Sequence, residues 1–378
     1  MDDRHRKQPG QARSIYDEIG VRTIINGRGA TTAVGGTLML PEVTAAMAEA
    51  SRAYVVLDEL NLKVGERIAE ITGAEAGYVT SGSAAGMALA AAACIAGTRP
   101  ERIRQLPDST GMANEIVIHR SHRLNYDQMY RIGGAHLVEI GFPQGTEQWE
   151  LEHALTDRTA AVAWHDSPST GPGALPFETV VRVAHDRNIP VIVDAASTLP
   201  PVGHLRRWIA AGADLVIYSG GKGIRGPQDS GMIAGRADLI AAVRANGNPH
   251  AAVGRGMKVS KEAMAGLWVA LDLFMKHDHA AEFAEHRRQA QVIVQALANR
   301  ADLRSEIEDD WERWPAPIVR LFPAGDRWRA DFVRAALMSG TPPIHINLDR
   351  NGLMINTHCL GPGDEDIIAR RITGILAN

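Results

Sequence analysis

Lys222 carries the strongest signature of chemistry in this sequence, because it lies in a stretch rich in glycine. The stretch reads Ser-Gly-Gly-Lys-Gly-Ile-Arg-Gly-Pro-Gln from Ser219 to Gln228, one residue after the apolar segment 214–217. Glycines allow backbone angles and close approaches that other residues forbid, so such a turn can present a lysine inside a crowded, rigid site. There a lysine with a lowered pKa is a good nucleophile and base. The alternative is a surface loop with a solvated lysine, since glycine-rich connections are common.

Polar groups follow two further apolar segments. Asp194 ends the apolar run that starts at Pro190, and Ser81, Gly82 and Ser83 open a run of small residues. A helix that begins in this way offers free N–H groups and the positive end of its dipole to an anion such as phosphate. Ligands of parallel sheets bind at the carboxyl ends of the strands. The residues that follow predicted strands, and are predicted to share one site, are Ser81, His122, Asp194 and Lys222.

The chain order of these features resembles that of fold-type I enzymes that use pyridoxal 5'-phosphate (PLP). An anion-binding turn comes first, then a strand-end aspartate, then a loop lysine. Within that group the sequence is most similar to the selenocysteine-synthase-like family, the family of D-glucosaminate-6-phosphate ammonia lyase. The resemblance runs from about residue 14 to residue 275, and the C-terminal quarter matches only in general pattern. The matching stretches are residues 25–26, 58–60, 80–85, 119–122, 165–167, 194, 219–222 and 226–228.

The resemblance implies a PLP site and assigns its residues. Lys222 is expected to bond the cofactor aldehyde and, after substrate displaces it, to remove the α-proton. Asp194 is expected to pair with the pyridine nitrogen and keep it protonated, so that the ring accepts negative charge. Ser197 is expected to hydrogen-bond the ring oxygen, where many relatives carry glutamine. The remaining cofactor residues are the phosphate ligands Gly82, Ser83, Ala84 and Ser219, and His122, which is expected to stack on the ring.

Five further residues are candidates for binding the substrate. His165, Asp166 and Ser167 close another predicted strand, and relatives more usually carry threonine where Asp166 stands. Arg225 and Arg255 are candidates for a substrate carboxylate or phosphate, because guanidinium groups bind such anions in bidentate geometry. Either arginine could instead form a surface salt bridge.

Composition and charge restrict the classes of partner. The 378 residues are 45% hydrophobic and 22% charged, as in a soluble globular protein, and the net charge of −4 provides no basic field for nucleic acid. The two cysteines lie far apart in sequence, so we expect a reducing, cytoplasmic setting without disulfides. No segment has the pattern of a signal peptide or membrane span. We expect no metal site, because the 14 histidines do not recur with cysteines or acids at tight ligand spacings.

Apolar segments alternate with helical patterns from about residue 74 onward. The alternation predicts an α/β fold of fold-type I architecture, a mostly parallel seven-stranded sheet with helices on both faces, followed by a small α+β C-terminal domain. The predicted strands of the large sheet are residues 77–80, 115–119, 135–140, 160–164, 191–193, 215–217 and 232–234. The predicted domains are a disordered tail at 1–13, a large PLP-binding domain with an N-terminal arm at 14–260, and a long helix with the small domain at 261–378.

The function implied by the resemblance is that of a PLP-dependent lyase. We expect it to eliminate water and ammonia from a small 2-amino acid with a β-hydroxyl group, such as an amino sugar acid, to give a 2-oxo acid. Racemisation and β-replacement share the first proton abstraction and stay open as alternatives. A selenocysteine-synthase-like transferase acting on aminoacyl-tRNA is a further alternative, which the slightly acidic charge disfavours. A homodimer or larger homo-oligomer is expected, because fold-type I sites commonly lie between subunits.

Overall fold

The computed structural model describes residues 14–168, 170–325 and 327–377. These residues group into two compact units. The larger unit spans residues 30–283 and 310–315, and the smaller unit spans the described parts of 1–29, 284–309 and 316–378. This grouping differs from the predicted division at residue 260. Compact units need not be independently folding domains, so the predicted domain boundaries stay a prediction. The predicted tail at 1–13 lies outside the described residues.

The strands and helices alternate through most of the chain. The strands are β1 (Ile25–Gly27), β2 (Ala76–Thr80), β3 (Glu115–His119), β4 (His136–Ile140), β5 (Thr159–His165), β6 (Val191–Asp194), β7 (Leu215–Ser219), β8 (Gly231–Gly235), β9 (Leu303–Glu308), β10 (Ile318–Pro323), β11 (Ile344–Asp349) and β12 (Gly352–Asn356). The helices are α1 (Ile15–Ile19), α2 (Pro41–Ala50), α3 (Leu57–Thr72), α4 (Gly82–Ala96), α5 (Pro100–Gln105), α6 (Gln128–Ile132), α7 (Gln148–Ala154), α8 (Phe177–His185), α9 (His204–Ala210), α10 (Ala237–Asn246), α11 (Lys261–Lys276), α12 (His279–Leu297), α13 (Ala330–Ser339) and α14 (Asp364–Leu376).

The larger unit is built on a seven-stranded sheet with the strand order β2-β8-β7-β6-β5-β3-β4. The strands are parallel except for β8, which runs antiparallel to both β2 and β7. Helical crossovers connect the parallel strands, as parallel pairing requires. The predicted mostly parallel sheet of seven strands is confirmed, with strand ends within a few residues of the predicted ones.

Both faces of this sheet are covered by apolar side chains. In β6, Val191 and Val193 belong to one buried cluster and Ile192 to another, and none of the three is exposed to solvent. Side chains alternate between the two faces of a strand, so continuous apolar runs fill both cores. The helices on both faces that the sequence predicts are therefore required to cover this apolar surface.

Helix α4 approaches the sheet closely because small residues line its path. A Cβ atom at Gly86 would lie 2.8 Å from Cγ2 of Ile217, and a Cβ at Gly231 would lie 2.5 Å from the carbonyl carbon of Gly82. Any larger side chain at either glycine would push the helix away from the sheet. This packing fixes the first turn of α4 beside the end of β2, where the hydroxyl of Thr80 donates to the carbonyl of Gly82 at 2.8 Å.

The smaller unit contains a five-stranded sheet in the order β1-β11-β12-β10-β9. Strand β1 pairs in parallel with β11, and the other pairs are antiparallel. Its core is a separate cluster that includes Val319, Leu321 and Ile355. The predicted α+β pattern of this region is confirmed. Within the described ranges, no helix is both long enough and apolar enough to cross a membrane.

Candidate active site

A cavity of about 560 Å³ lies in the larger unit at the carboxyl ends of the parallel strands. It brings together most of the side chains that the sequence assigned to one site, although they are far apart in the chain. The predicted residues in its lining are Ser81, Gly82, Ser83, Ala84, His165, Asp166, Ser167, Asp194, Ser197, Ser219 and Lys222.

The loop that carries Lys222 is held by close backbone packing. The hydroxyl of Thr37 donates to the carbonyl of Lys222 at 2.7 Å, and the backbone N–H of Thr37 donates to the carbonyl of Gly221 at 3.2 Å. A Cβ at Gly221 would collide with the backbone of Gln228, and one at Gly223 with the carbonyl of Leu199. Glycine is therefore required here for space, and the loop holds its lysine rigidly.

Burial controls the chemistry of the Lys222 amine. Loss of solvent around the ammonium group lowers its pKa below the ordinary value, and the negative charge of Asp194 opposes part of this shift. A lower pKa increases the fraction of neutral amine near neutral pH. The neutral amine is the form that attacks a carbonyl carbon or accepts a proton.

Asp194 lies at the end of β6 with only 8% of its surface exposed. Its Oδ1 accepts a hydrogen bond from the N–H of Ala196 at 3.0 Å, which orients the carboxylate. The neighbouring strand is tied to the same point, because the N–H of Asp166 donates to the carbonyl of Asp194 at 2.9 Å. The two acidic residues therefore enter the cavity from adjacent strand ends.

The first turn of α4 is suited to an anion. Ser81 occupies the N-cap position, yet its side chain makes no capping hydrogen bond in the described structure and donates instead to the carbonyl of Met257 at 3.0 Å. The first N–H groups of a helix have no partner within the helix. Gly82, Ser83 and Ala84 thus present backbone N–H groups at the cavity, where the helix dipole adds positive potential.

Asp166 lies in the cavity lining beside the indole of Trp208. Burial raises its pKa above the ordinary range, and the indole N–H of Trp208, which donates to Oδ2 at 2.8 Å, opposes that shift. The adjacent His165 is 1% exposed, and its Nε2 lies 3.4 Å from the hydroxyl of Tyr130. Its Nδ1 has no hydrogen-bond partner in the part of the chain that the structure describes. Asp166 can therefore hold a proton closer to neutral pH than an ordinary carboxyl.

His122, Arg225 and Arg255 lie outside the cavity lining. The His122 ring packs edge-on against Trp164 with 4.4 Å between ring centroids, and its Nδ1 accepts the backbone N–H of His165 at 3.3 Å. Burial lowers the pKa of His122 to about 3, so the ring is neutral. The structure therefore places it behind a cavity residue, and the predicted stacking on the cofactor ring stays a prediction.

The two arginines are directed toward protein partners. Arg225 Nη2 lies 2.5 Å from Oε1 of Glu282, and Arg255, which is exposed, donates to Oδ1 of Asn248 at 3.3 Å. The structure does not bring either guanidinium to the cavity. Arg225 thus forms a salt bridge, the alternative that the sequence left open, because its side chain extends toward helix α12.

The cavity also contains residues that the sequence did not single out. Tyr126, which is 61% exposed, and Gln228 are among them, and the side chain of Gln228 donates to the carbonyl of Thr32 at 3.0 Å. Gln228 stood in a stretch that resembles the family, and that signal could have identified it. Tyr126 had no such signal, because a single tyrosine outside any recognised motif does not reveal which side of the fold it faces.

Residues 24–310 match the model of the L-seryl-tRNA selenium transferase (SelA) family. The chain belongs to this family. The resemblance to this family found in the sequence is therefore confirmed.

Two curated relatives align with most of this SelA family protein. D-glucosaminate-6-phosphate ammonia lyase of Salmonella typhimurium (strain 14028s / SGSC 2262) is 38% identical over 302 residues, covering 79% of each chain. A 5'-C-glycyluridine monooxygenase-decarboxylase of a Streptomyces species is 32% identical over 382 residues, covering 98% of this chain and 94% of the relative.

Solved structures agree with the sequence matches. A structure of D-glucosaminate-6-phosphate ammonia lyase superposes with a TM-score of 0.83 and 33% identity, covering 97% of this chain and all of that one. A serine palmitoyltransferase of S. paucimobilis with bound PLP–myriocin has a TM-score of 0.60 and 14% identity, covering 93% of this chain and 87% of that one. At that identity the second likeness shows the fold alone.

Proposed function

We propose that this SelA family protein binds PLP and acts as a lyase on a small 2-amino acid with a β-hydroxyl group, releasing ammonia and a 2-oxo acid. The observation that carries the proposal is the partly buried Lys222, with its lowered pKa, in one cavity with Asp194 and the start of α4. These groups fit PLP chemically. An amine suits the aldehyde, a carboxylate suits the pyridine nitrogen, and uncapped helix N–H groups suit the phosphate.

Bound PLP would supply an electron sink that weakens the bonds at the α-carbon of the substrate. Lys222 would hold the cofactor and, once free, take the α-proton at its Nζ atom. Asp194, fixed by the N–H of Ala196, would keep a negative charge beside the pyridine nitrogen. Gly82, Ser83 and Ala84 would bind the phosphate through their N–H groups, and the hydroxyls of Ser197 and Ser219 line the same cavity.

We assign the second proton transfer to Asp166. Loss of a β-hydroxyl as water needs an acid that donates a proton to the departing oxygen. Among His165, Asp166 and Arg225, three of the sequence-based candidates for binding the substrate, Asp166 combines a place in the lining with a raised pKa. The enamine left by loss of water then takes up water and releases ammonia, so the net products are a 2-oxo acid and ammonia.

The relatives support the lyase among the alternatives. The ammonia lyase is 38% identical, whereas a selenium transferase of Nitratidesulfovibrio vulgaris is 27% identical and this chain covers 61% of it. The net charge of −4 also gives no general attraction for tRNA. Racemisation and β-replacement begin with the same proton abstraction as elimination. The products measured in the experiment below distinguish the three reactions.

A second candidate function comes from the alignment of nearly the whole chain with the monooxygenase-decarboxylase, which covers 98% of this protein. An activity of that type consumes molecular oxygen and releases carbon dioxide. A β-hydroxy lyase does neither. The two candidates therefore differ in measurable reactants and products, although both would use the same cofactor site.

The deciding experiment supplies the purified holoenzyme with a panel of amino sugar acids, including D-glucosaminate 6-phosphate, and smaller β-hydroxy amino acids. Ammonia, 2-oxo acid, oxygen uptake and carbon dioxide are measured together, in D₂O. We expect ammonia and 2-oxo acid in equal amounts, deuterium at the β-carbon of the product, and no oxygen uptake.

Other outcomes would replace this function with a defined alternative. Deuterium only at the α-carbon of recovered amino acid, without ammonia, would identify a racemase. Equal oxygen uptake and carbon dioxide release would identify the monooxygenase-decarboxylase type. Turnover that requires an added nucleophile or aminoacyl-tRNA would identify a replacement or transfer reaction.

We further propose a homodimer or larger homo-oligomer. Strongly exposed apolar side chains near the start of the larger unit, Leu38, Tyr54 and Val56, support this proposal because such groups commonly lie at interfaces. Light scattering of the active protein tests it, and a fully active monomer would contradict it. The cytoplasmic location stays a prediction.

A further inference from the structure

Two histidines and a glutamate converge at the junction of α11 and α12, outside the cavity. His277 follows the last residue of α11, His279 begins α12, and Glu282 lies one turn further on. One nitrogen from each histidine and one carboxylate oxygen all lie within 4.8 Å of one another. Oε2 of Glu282 is 3.2 Å from Nε2 of His277 and 3.9 Å from Nδ1 of His279.

The tautomer of His279 leaves a lone pair on Nδ1, on the side of the ring that faces Glu282. Its Nε2 lies 2.8 Å from the carbonyl of Phe274, which can only accept a hydrogen bond, so Nε2 carries the proton and Nδ1 carries a lone pair. His279 is 7% exposed, and its Nδ1 has no hydrogen-bond partner among the residues that the structure describes. A buried lone pair that faces a carboxylate oxygen is unfavourable unless a cation or proton lies between them.

The two carboxylate oxygens of Glu282 contact different side chains. Oε1 lies 2.5 Å from Nη2 of Arg225, and Oε2 faces the two histidines. A ligand carboxylate in a metal site is typically held by a hydrogen bond to its other oxygen, and a ligand histidine typically donates its second N–H to a carbonyl. Arg225 and Phe274 already supply both of these outer partners.

We propose that Nε2 of His277, Nδ1 of His279 and Oε2 of Glu282 form a site for a divalent transition metal of the Zn²⁺ type. Two histidines and one carboxylate are a known zinc ligand set that leaves the fourth tetrahedral position to water. Ligands at zinc-bond lengths and tetrahedral angles lie roughly 3.4 Å apart, close to the observed 3.2 and 3.9 Å. This revises the sequence-based expectation of no metal site.

The site connects to the loop that presents Lys222. The backbone N–H of Arg225 donates to the carbonyl of Lys222 at 2.9 Å, and Arg225 adopts a left-handed backbone conformation with φ of 58°. A metal that fixes Glu282 also fixes the partner of the Arg225 side chain. A bound metal would therefore hold the lysine loop against the start of α12 through Glu282 and Arg225.

The test measures metal binding to the full-length holoenzyme after treatment with a chelator. Zn²⁺ is titrated in competition with a chromophoric chelator, and Co²⁺ is used separately as a probe because its visible d–d absorption reports tetrahedral coordination. We expect one tight site per chain. His277→Gln and Glu282→Gln should weaken it by more than the roughly 10- to 100-fold caused by loss of an outer-shell partner.

His153→Gln is the matched control, because His153 is exposed on α7 and lies away from this cluster in the fold. It should bind metal as the wild type does. His277 is partly exposed, with 42% of its side chain accessible, so its substitution should leave the protein folded, as circular dichroism can verify. No tight binding by the wild type, or equal binding by folded His277→Gln, would overturn the proposal.

Discussion

Replacing Trp208 with phenylalanine tests whether Asp166 supplies the proton for the departing hydroxyl. The indole N–H donates to Oδ2 of Asp166 at 2.8 Å and stabilises its ionised form, so it lowers a pKa that burial raises. Phenylalanine removes the donor and keeps an aromatic ring beside Phe177, whose centroid lies 4.7 Å from that of Trp208. The substitution therefore changes the acidity of Asp166 with little change in packing.

The size of the effect follows from the free energy of one hydrogen bond to a charged group. Such a bond contributes about 1.5–3 kcal/mol. Since one pKa unit corresponds to about 1.4 kcal/mol, the pKa of Asp166 should rise by roughly 1 to 2 units. A general acid must be protonated, and activity falls as pH rises through its pKa. The alkaline limb of the kcat profile should therefore move upward by roughly 1 to 2 pH units.

The assay is the pH dependence of ammonia release by the wild type, Trp208→Phe and Trp164→Phe. Trp164 lies in the same aromatic cluster, 6.2 Å from Trp208 between ring centroids, so its substitution controls for altered packing. An unchanged alkaline limb in Trp208→Phe would refute the assignment of Asp166 as the acid. Movement of the acid limb alone would indicate that Asp166 works in its ionised form.

Three further predictions concern the cofactor site and stability. Borohydride treatment of the yellow holoenzyme should fix the cofactor on Lys222, as read by peptide mapping, and a label on another lysine would contradict this. Asp194→Asn should retain cofactor and lose roughly 10- to 150-fold in kcat, from the loss of a charge-assisted hydrogen bond of about 1.5–3 kcal/mol. Burial lowers the pKa of His119 to about 4 from 6.5, so its contribution to stability is present above pH 6.5 and is lost as pH falls toward 4. His119→Phe should therefore gain about 2 kcal/mol relative to wild type between pH 7.5 and pH 5 in urea unfolding, and an equal difference at both pH values would be inconsistent with a neutral buried His119.

Much of the larger unit could be predicted from the sequence because its strands and loops have recognisable local sequence patterns. A strand buried on both faces must be apolar throughout, so β6 and β7 are visible as runs of valine, isoleucine and leucine. The loop around Lys222 can be recognised in the sequence by its glycines, which the fold requires because backbone segments touch there. Other elements escaped prediction because their patterns are weak. Strand β9 mixes charged and apolar residues, and β1 has only three residues.

The sequence by itself determined which residue types follow the predicted strands, and so determined that Lys222 and Asp194 could meet at one edge of the sheet. The tertiary structure decided which side chains face the cavity. His122 follows a strand as Asp194 does, yet packing against Trp164 turns it away, and Glu282 draws Arg225 out of the lining. These directions depend on neighbours distant in sequence, which no local pattern specifies. The convergence of His277, His279 and Glu282 at the junction of α11 and α12 likewise depends on how the chain turns between the two helices.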